Sequence, residues 1–311
     1  MDAQPYLKEI GRGRDGARGL SYESAFALFE AVFDGGFAEL ELGAILIALR
    51  MKGESLDEIR AALDALSPRL ARVPVDASRP VVSIPSYNGA RHVANLVPLL
   101  ACLLADAGMQ VVIHGTTADP VRTTTSEIMR AMGLGPVSTV AQAGSAIARG
   151  DPAFVPVDVL SPALASMLGL RARLGVRNVA HTLAKLLDPT DAPGCLRLAS
   201  FTHPEFDRLQ HDYFVACDRP ALLSRGNEGE VVASTRRGAR IDWLHDGTCD
   251  VLVEAQGVAP RETPALPDAH DAPGTARWIQ AVLAGERPVP AAIERQVAAV
   301  LHPEGRPTAL A

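Results

Sequence analysis

No stretch of this 311-residue chain stays apolar for long enough to cross a bilayer. The longest apolar run, near Val93–Ala105, contains Asn95 and Pro98 and stops at Asp106. The opening MDAQPYLKEIGRGRDGARG has no apolar core, so no secretory signal and no membrane partner are expected. Cysteine is scarce: Cys102, Cys195, Cys217 and Cys249 lie far apart, with no CxxC pair. That spacing argues against a disulfide framework and a zinc site, and a reducing, cytoplasmic compartment is expected. Aromatic residues are only 5% of the chain, which leaves little material for stacking on bases. There is no excess of positive charge either; the formal net charge of −6 excludes a surface uniformly coated for a polyanion.

What is present is a large apolar fraction, 48%, enough for one large or two unequal cores. Val81–Ile84 reads as a buried strand, Leu96–Ala107 as an apolar helix and Val111–Ile113 as a second buried strand. Strand, helix, strand of this kind implies a parallel βαβ unit, with ligands expected beyond the carboxyl ends of the strands. Polar, turn-forming residues stand there: Ser86-Tyr87-Asn88-Gly89 after the first strand and His114-Gly115-Thr116-Thr117 after the second. Residues 21–70 read as helices over 21–33, 37–51 and 55–70. The last opens with Ser55-Leu56-Asp57-Glu58, in which Ser55 and Glu58 can satisfy each other's orphan amides. The expected fold class is therefore α/β with an N-terminal all-helical domain. A boundary in the Pro74-containing hinge gives domains at 1–73 and 74–311. Later strands are expected at 154–157, 196–199, 221–224 and 251–254. Helices are expected at 124–132, 142–148, 162–174, 179–187, 275–283 and 291–301, and a Pro-rich loop at 259–273.

Charge is unevenly distributed. Residues 161–240 carry 11 Lys and Arg against 8 Asp and Glu, a balance of +3, whereas 241–311 carry 5 against 10, a balance of −5. Two clusters stand out in the first of these segments: Arg171, Arg173, Arg177 and Lys185, and then Arg236, Arg237 and Arg240. Either could meet phosphates or form a solvated helix face or turn.

The frame of strand, loop ending in Asn95, helix, strand and His114-Gly115 resembles the anthranilate phosphoribosyltransferases, whose loops run GTGGD…TFNxST and KHGN. The helical run LFEAVFDGGFAELELGAILIALRMKGESLDEIRAALDAL resembles that family's N-terminal domain, so the likeness spans roughly residues 5–300. It implies the two-domain phosphoribosyltransferase fold and a homodimer through the helical part. It also implies a ligand cleft including Ser86, Asn88, Gly89, Asn95, His114, Gly115 and Arg171. The chemistry differs from the family pattern. Pro85-Ser86-Tyr87 replaces the glycine run that lets amides approach a phosphate, Val97-Pro98 replaces Ser-Thr, and Ile113 replaces the lysine. Arg171-Ala172-Arg173-Leu174-Gly175 resembles RRELG, whose first arginine contacts the aromatic acid. Arg225-Gly226-Asn227-Glu228-Gly229-Glu230 resembles HGxDGxDE, whose Asp-Glu pair binds magnesium; here only Glu228 and Glu230 are candidates for a metal. No cofactor is expected to be required, and magnesium would serve only a catalytic chain. His114 is read as a frame residue, and no catalytic residue is assigned.

The wording IPSYNGAR…NLVPLLA…VVIHG…DPVR is closest to the YbiB-type branch of the family, described as nucleic-acid-binding. That resemblance implies a catalytically altered homologue that binds DNA or RNA without strong sequence preference. Arg171, Arg173, Arg177, Lys185, Arg236, Arg237 and Arg240 are the expected contacts. The alternatives are a phosphoribosyltransferase with an unusual acceptor or donor, and a small-metabolite sensor.

Overall fold

A computed structural model of the chain describes residues 1–13, 15–258, 266–267 and 270–303. In chain order, four helices come first: α1 (Gln4–Ile10), α2 (Tyr22–Phe33), α3 (Glu39–Lys52) and α4 (Leu56–Leu66). The chain then enters a sheet with β1 (Val81–Ser86), α5 (Val97–Asp106), β2 (Gln110–Gly115), α6 (Thr125–Ala131), α7 (Val140–Ala148) and β3 (Ala153–Pro156). Four short helices follow: α8 (Val157–Leu160), α9 (Pro162–Gly169), α10 (Arg171–Leu174) and α11 (Ala180–Leu186). The rest is β4 (Leu196–Phe201), α12 (Pro204–Ala216), β5 (Ala221–Arg225), β6 (Arg237–Gly238), β7 (Ile241–His245), β8 (Thr248–Val253), β9 (Gln256–Val258), α13 (Ala272–Leu283) and α14 (Ala291–Leu301).

These elements form two compact units. One joins Met1–Ala71 to Val157–Leu187, and the other joins Arg72–Pro156 to the described residues from Asp188 onward. The expected boundary, with all of 74–311 in one α/β domain, is corrected on this point. The segment 157–187 is helical and carries its own apolar face, with Leu164, Met167, Leu183 and Leu186 buried, so it packs as helices do, beside α4. In the helical unit Glu58 ties three segments together. Its carboxylate, fully buried, accepts from the Leu20 and Ser55 amides at 3.0 and 2.7 Å and from Lys52 Nζ at 2.7 Å. The Ser55–Glu58 capping box is present as its sequence spacing requires.

The second unit is built on a seven-stranded sheet in the order β3-β2-β1-β4-β5-β7-β8. The first five strands run parallel; β7 and β8 close the sheet as an antiparallel hairpin. All six residues of β1 and of β2 are buried, as expected for strands covered on both faces. One face packs Val82, Ile84, Ile113, Leu198 and Leu222 against Leu99 and Leu100 of α5 and Trp278 and Ile279 of α13. Both strands run further than their apolar cores suggest: β1 takes in Pro85 and Ser86, and β2 takes in His114 and Gly115. Pro85 is tolerated because the β1–β4 ladder involves Val82 and Ser83 only, so the proline lies beyond it.

Further elements escape the sequence reading: α1, β6 and β9, and the longer α12 and β7. α12 is polar along most of its length and lacks a side-chain cap at His203; Pro204, followed by Glu205 and Asp207 in the first turn, is the start signal it carries. β7 is joined to β8 by Asp246-Gly247, both with positive φ (45° and 66°), the tight turn that an Asp-Gly pair encodes. Of the expected loop 259–273, residues 259–265, 268 and 269 lie outside the described residues, and α13 begins within its last two positions. No described helix is long and apolar enough to cross a membrane.

Candidate functional site

The ends of β1 and β2 bring together the expected cleft residues Ser86, Asn88, Gly89, Asn95, His114 and Gly115. Polar bonds lock them. Ser86 Oγ is 2.8 Å from Thr125 Oγ1, and Asn95 Nδ2 donates to the same hydroxyl at 3.0 Å. The Asn95 side-chain oxygen accepts from the Val97 amide at 3.2 Å and so sets the start of α5. Gly115 lies so close to the Ser86 carbonyl that a Cβ there would collide with it.

The loop between β1 and α5 offers several backbone amides, and these are already paired. Glu230 Oε1 accepts from the Asn88 and Gly89 amides at 2.8 and 2.6 Å. The Glu228 carboxylate accepts from the Arg91 and His92 amides, the latter at 3.1 Å. Asn88 Nδ2 donates to the Gly229 carbonyl at 2.6 Å, and Arg122 reaches the Gly89 and Glu228 carbonyls at 3.2 and 3.4 Å. Gly229 has φ +92°, and a Cβ at that position would overlap the Asn88 amide group. Only glycine lets the two loops meet this closely.

A set of inward amides is what an anion-binding loop supplies to phosphate. Here a carboxylate from the same chain stands in for that anion at four positions. Glu228 and Glu230, candidates for metal binding in the sequence, serve as acceptors for these amides. Counting on from Arg225-Gly226 in the family motif, the positions of its Asp-Glu pair are Val231 and Val232, both buried in the apolar core. Among the described residues no group of three or more His, Cys, Asp and Glu side chains is placed to hold a metal ion. Glu228 and Glu230 thus spend carboxylate oxygens on backbone amides where the family motif has a paired Asp-Glu.

The arginine clusters divide between the units. Arg171, Arg173, Arg177 and Lys185 belong to the helical unit. Arg173 forms a two-pronged pair with Glu39 at 2.9 Å per contact, and this pair holds the Glu39 carboxyl below its usual range. Burial pushes His181 down to about 4, helped by the positive charges of Arg177, Arg171 and Arg50. Arg50 thus extends a basic region that the sequence reading confined to 171–185.

In the α/β unit Arg240 pairs with Asp242 at 2.6 Å, and Arg236 is exposed with no ion pair among the described residues. The Arg237 side chain lies outside the described residues. Arg236 and Arg240 line a cavity of about 1090 Å³ that also takes in Arg208 and Arg225, two cations not singled out in the sequence. Arg225 ends an apolar strand directly before Gly226, the one signal by which it could have been found.

Residues 4–67 match the family described as glycosyl transferase family, helical bundle domain. The chain is 41% identical over 306 residues to the uncharacterized protein YbiB of Escherichia coli strain K12, covering 98% of this chain and 95% of that one. It is 30% identical over 188 residues to the anthranilate phosphoribosyltransferase of Persephonella marina, covering 60% of this chain and only 54% of that enzyme. Among solved structures, the anthranilate phosphoribosyltransferase of Thermus thermophilus matches with a TM-score of 0.74 at 25% identity, over 96% of this chain and 87% of that one. The Saccharomyces cerevisiae enzyme in complex with PRPP and Mg matches with a TM-score of 0.72 at 14% identity over the same shares, a likeness of fold.

His114 completes the site. Its Nδ1 is 2.8 Å from the Tyr87 hydroxyl oxygen, and its Nε2 has no hydrogen-bond partner among the described residues. Complete burial pushes its pKa down to about 3 from 6.5, so the folded protein holds it neutral. The unfolded chain takes up the proton below about 6.5. This residue's contribution to stability is thus complete above that pH and declines as pH falls toward about 3. His114→Gln keeps an acceptor for Tyr87 and removes the titration. Denaturant melts between pH 7 and 4.5 should show a shallower loss in the variant, by up to about 1.4 kcal/mol per pH unit. Parallel curves for the two proteins would contradict the buried neutral histidine.

Proposed function

The chain belongs with YbiB in the anthranilate phosphoribosyltransferase-like family, and from that premise we propose that it does not transfer phosphoribosyl groups but binds nucleic acid without strong sequence preference. The observation that carries the first half is the occupation of the Asn88, Gly89, Arg91 and His92 amides by Glu228 and Glu230. A pyrophosphate arriving at this loop meets two carboxylates and no free amide among these four. Purified protein given magnesium, PRPP and anthranilate should release no product above background. A phosphoribosyltransferase with an unusual acceptor or donor is the second reading. Asn95, kept in place at the start of α5, favours it, but that reading requires both glutamates to leave the loop.

Binding of DNA or RNA is supported by the placement of charge. Arg171, Arg177 and Lys185 share the helical unit with Arg50, while Arg225 and Arg236 stand without ion pairs among the described residues of the α/β unit. Guanidinium groups already held by carboxylates, Arg173 by Glu39 and Arg240 by Asp242, contribute less, because a phosphate must displace the carboxylate. Fluorescence anisotropy with labelled single-stranded DNA over a salt series tests the reading. Arg236→Ala should weaken binding to all sequences alike and flatten the log–log salt slope by roughly one unit, more than Arg240→Ala does. Absence of binding at low salt would remove the function.

We also propose that the helical unit pairs with a second copy of the chain. Phe29 and Phe33 are buried within the unit, but α3 leaves Leu40 85% and Met51 80% exposed, with Ala44 and Ile47 on the same stripe. Apolar positions at i, i+4, i+7 and i+11 form one helix face, and a stripe this apolar fits an isologous contact. Light scattering should give about twice the 32.8 kDa chain mass. Leu40→Glu combined with Met51→Glu should give a monomer; a monomeric parent protein at micromolar concentration would refute the pairing.

A further inference from the structure

The cavity of about 1090 Å³ lies beyond the carboxyl ends of β4 and β5, where open α/β sheets place their ligands. Strand register fixes which side chains share it. Phe201 pairs with Arg225, and Leu223 pairs with Asp242. Because side chains alternate along a strand, Arg225 and Leu223 point to one face, and their partners Phe201 and Asp242 point to that same face. α12, which follows β4, adds Asp207 to the cavity wall, and the loop after β5 adds Arg236. The result is an apolar ring, four guanidinium groups and two carboxylates at one sheet end: Arg225 and Arg236 have no ion pair among the described residues, Arg208 lies 3.8 Å from Asp212, and Arg240 is paired with Asp242.

Phosphate alone would engage the guanidinium groups but leave the Phe201 ring and the Asp207 carboxylate with no ligand group to meet. Burial and the neighbouring Asp242 raise the Asp207 carboxyl above its ordinary range, so the two acids are close enough to feel each other. A ligand that satisfies every group needs a phosphate for Arg225 and Arg236, a flat ring for Phe201, and N–H donors for the carboxylates. We propose that this cavity is a binding site for a phosphorylated nucleoside whose base carries amino and ring N–H donors, as guanine does. Uracil offers the same acids a single ring N–H flanked by two carbonyl oxygens, where guanine offers adjacent ring and amino N–H donors, and is disfavoured. The inference rests on the nucleic-acid reading for one of its two ligand sources, a strand terminus; the other source is a free nucleotide.

Calorimetric titration of the 311-residue protein with GMP, UMP and inorganic phosphate tests the assignment. GMP should bind at least about tenfold more tightly than UMP or phosphate, a difference that one bidentate base contact can supply. Arg225→Ala and the exposed Arg236→Ala should each weaken GMP by about tenfold, and Asp242→Asn should narrow the GMP-to-UMP ratio. Displacement of GMP by a single strand with a 5′-phosphoguanosine end, but not by the same strand without the phosphate, assigns the site to strand ends. Failure of both strands to displace it assigns the site to free nucleotide. Strand binding with no GMP binding overturns the cavity and leaves the nucleic-acid reading standing. GMP binding with no strand binding does the reverse. GMP binding unchanged in both arginine variants also overturns the assignment.

Discussion

Glu228 and Glu230 come from the loop after β5 and supply acceptors to four amides of the loop after β1. The two segments are about 140 residues apart in sequence, and the contact holds the carboxyl ends of the central strands in one arrangement. Each buried amide needs a partner, and a charge-assisted bond to a carboxylate is among the stronger ones available. Gly229 is the steric condition for this contact, since any side chain there would overlap Asn88. Arg122 at the Gly89 carbonyl, the Ala90–Thr123 bridge and the Ser86–Thr125 hydroxyl contact hold the same loop from the side of the β2–α6 segment. A loop able to hold an anion is thereby held by the protein's own anions.

With the loop closed, the proposed nucleic-acid binding falls to cations that have no ion pair among the described residues. The sequence shows arginine clusters but not which guanidinium groups are already engaged. Arg173 and Arg240 each have a carboxylate within 2.9 Å, whereas Arg225 and Arg236 have no ion-pair partner among the described residues. The acidic net charge is no obstacle, because the basic groups are local and the field at such a site depends on its nearest charges.

Much of the fold was legible in the chain. Continuous apolar runs marked β1, α5 and β2, and the Ser55–Glu58 spacing marked the start of α4. Elements without such signals were not legible: α12 is polar and uncapped, and β7 is short with a mixed burial pattern. The return of 157–187 to the helical unit depends on tertiary packing, which no local pattern encodes. At the site, the positions of Asn88, Gly89, Asn95 and His114 could be read, but their roles could not. A glutamate that ligates a metal and one that accepts from a distant amide look alike in sequence. Arg225 stayed hidden because its neighbours on the cavity wall come from a different strand, a loop and a helix.

The closure makes a direct claim about the donor of the related transferases. Calorimetric titration of PRPP with magnesium, into the parent protein and into a Glu228→Ala, Glu230→Ala variant, tests it. The parent should show no saturable binding below about 1 mM, equivalent to about −4 kcal/mol, while the variant, with its loop amides released, should bind. A micromolar dissociation constant for the parent would contradict the account, because it would show that the loop gives up its carboxylates readily for a phosphate ligand.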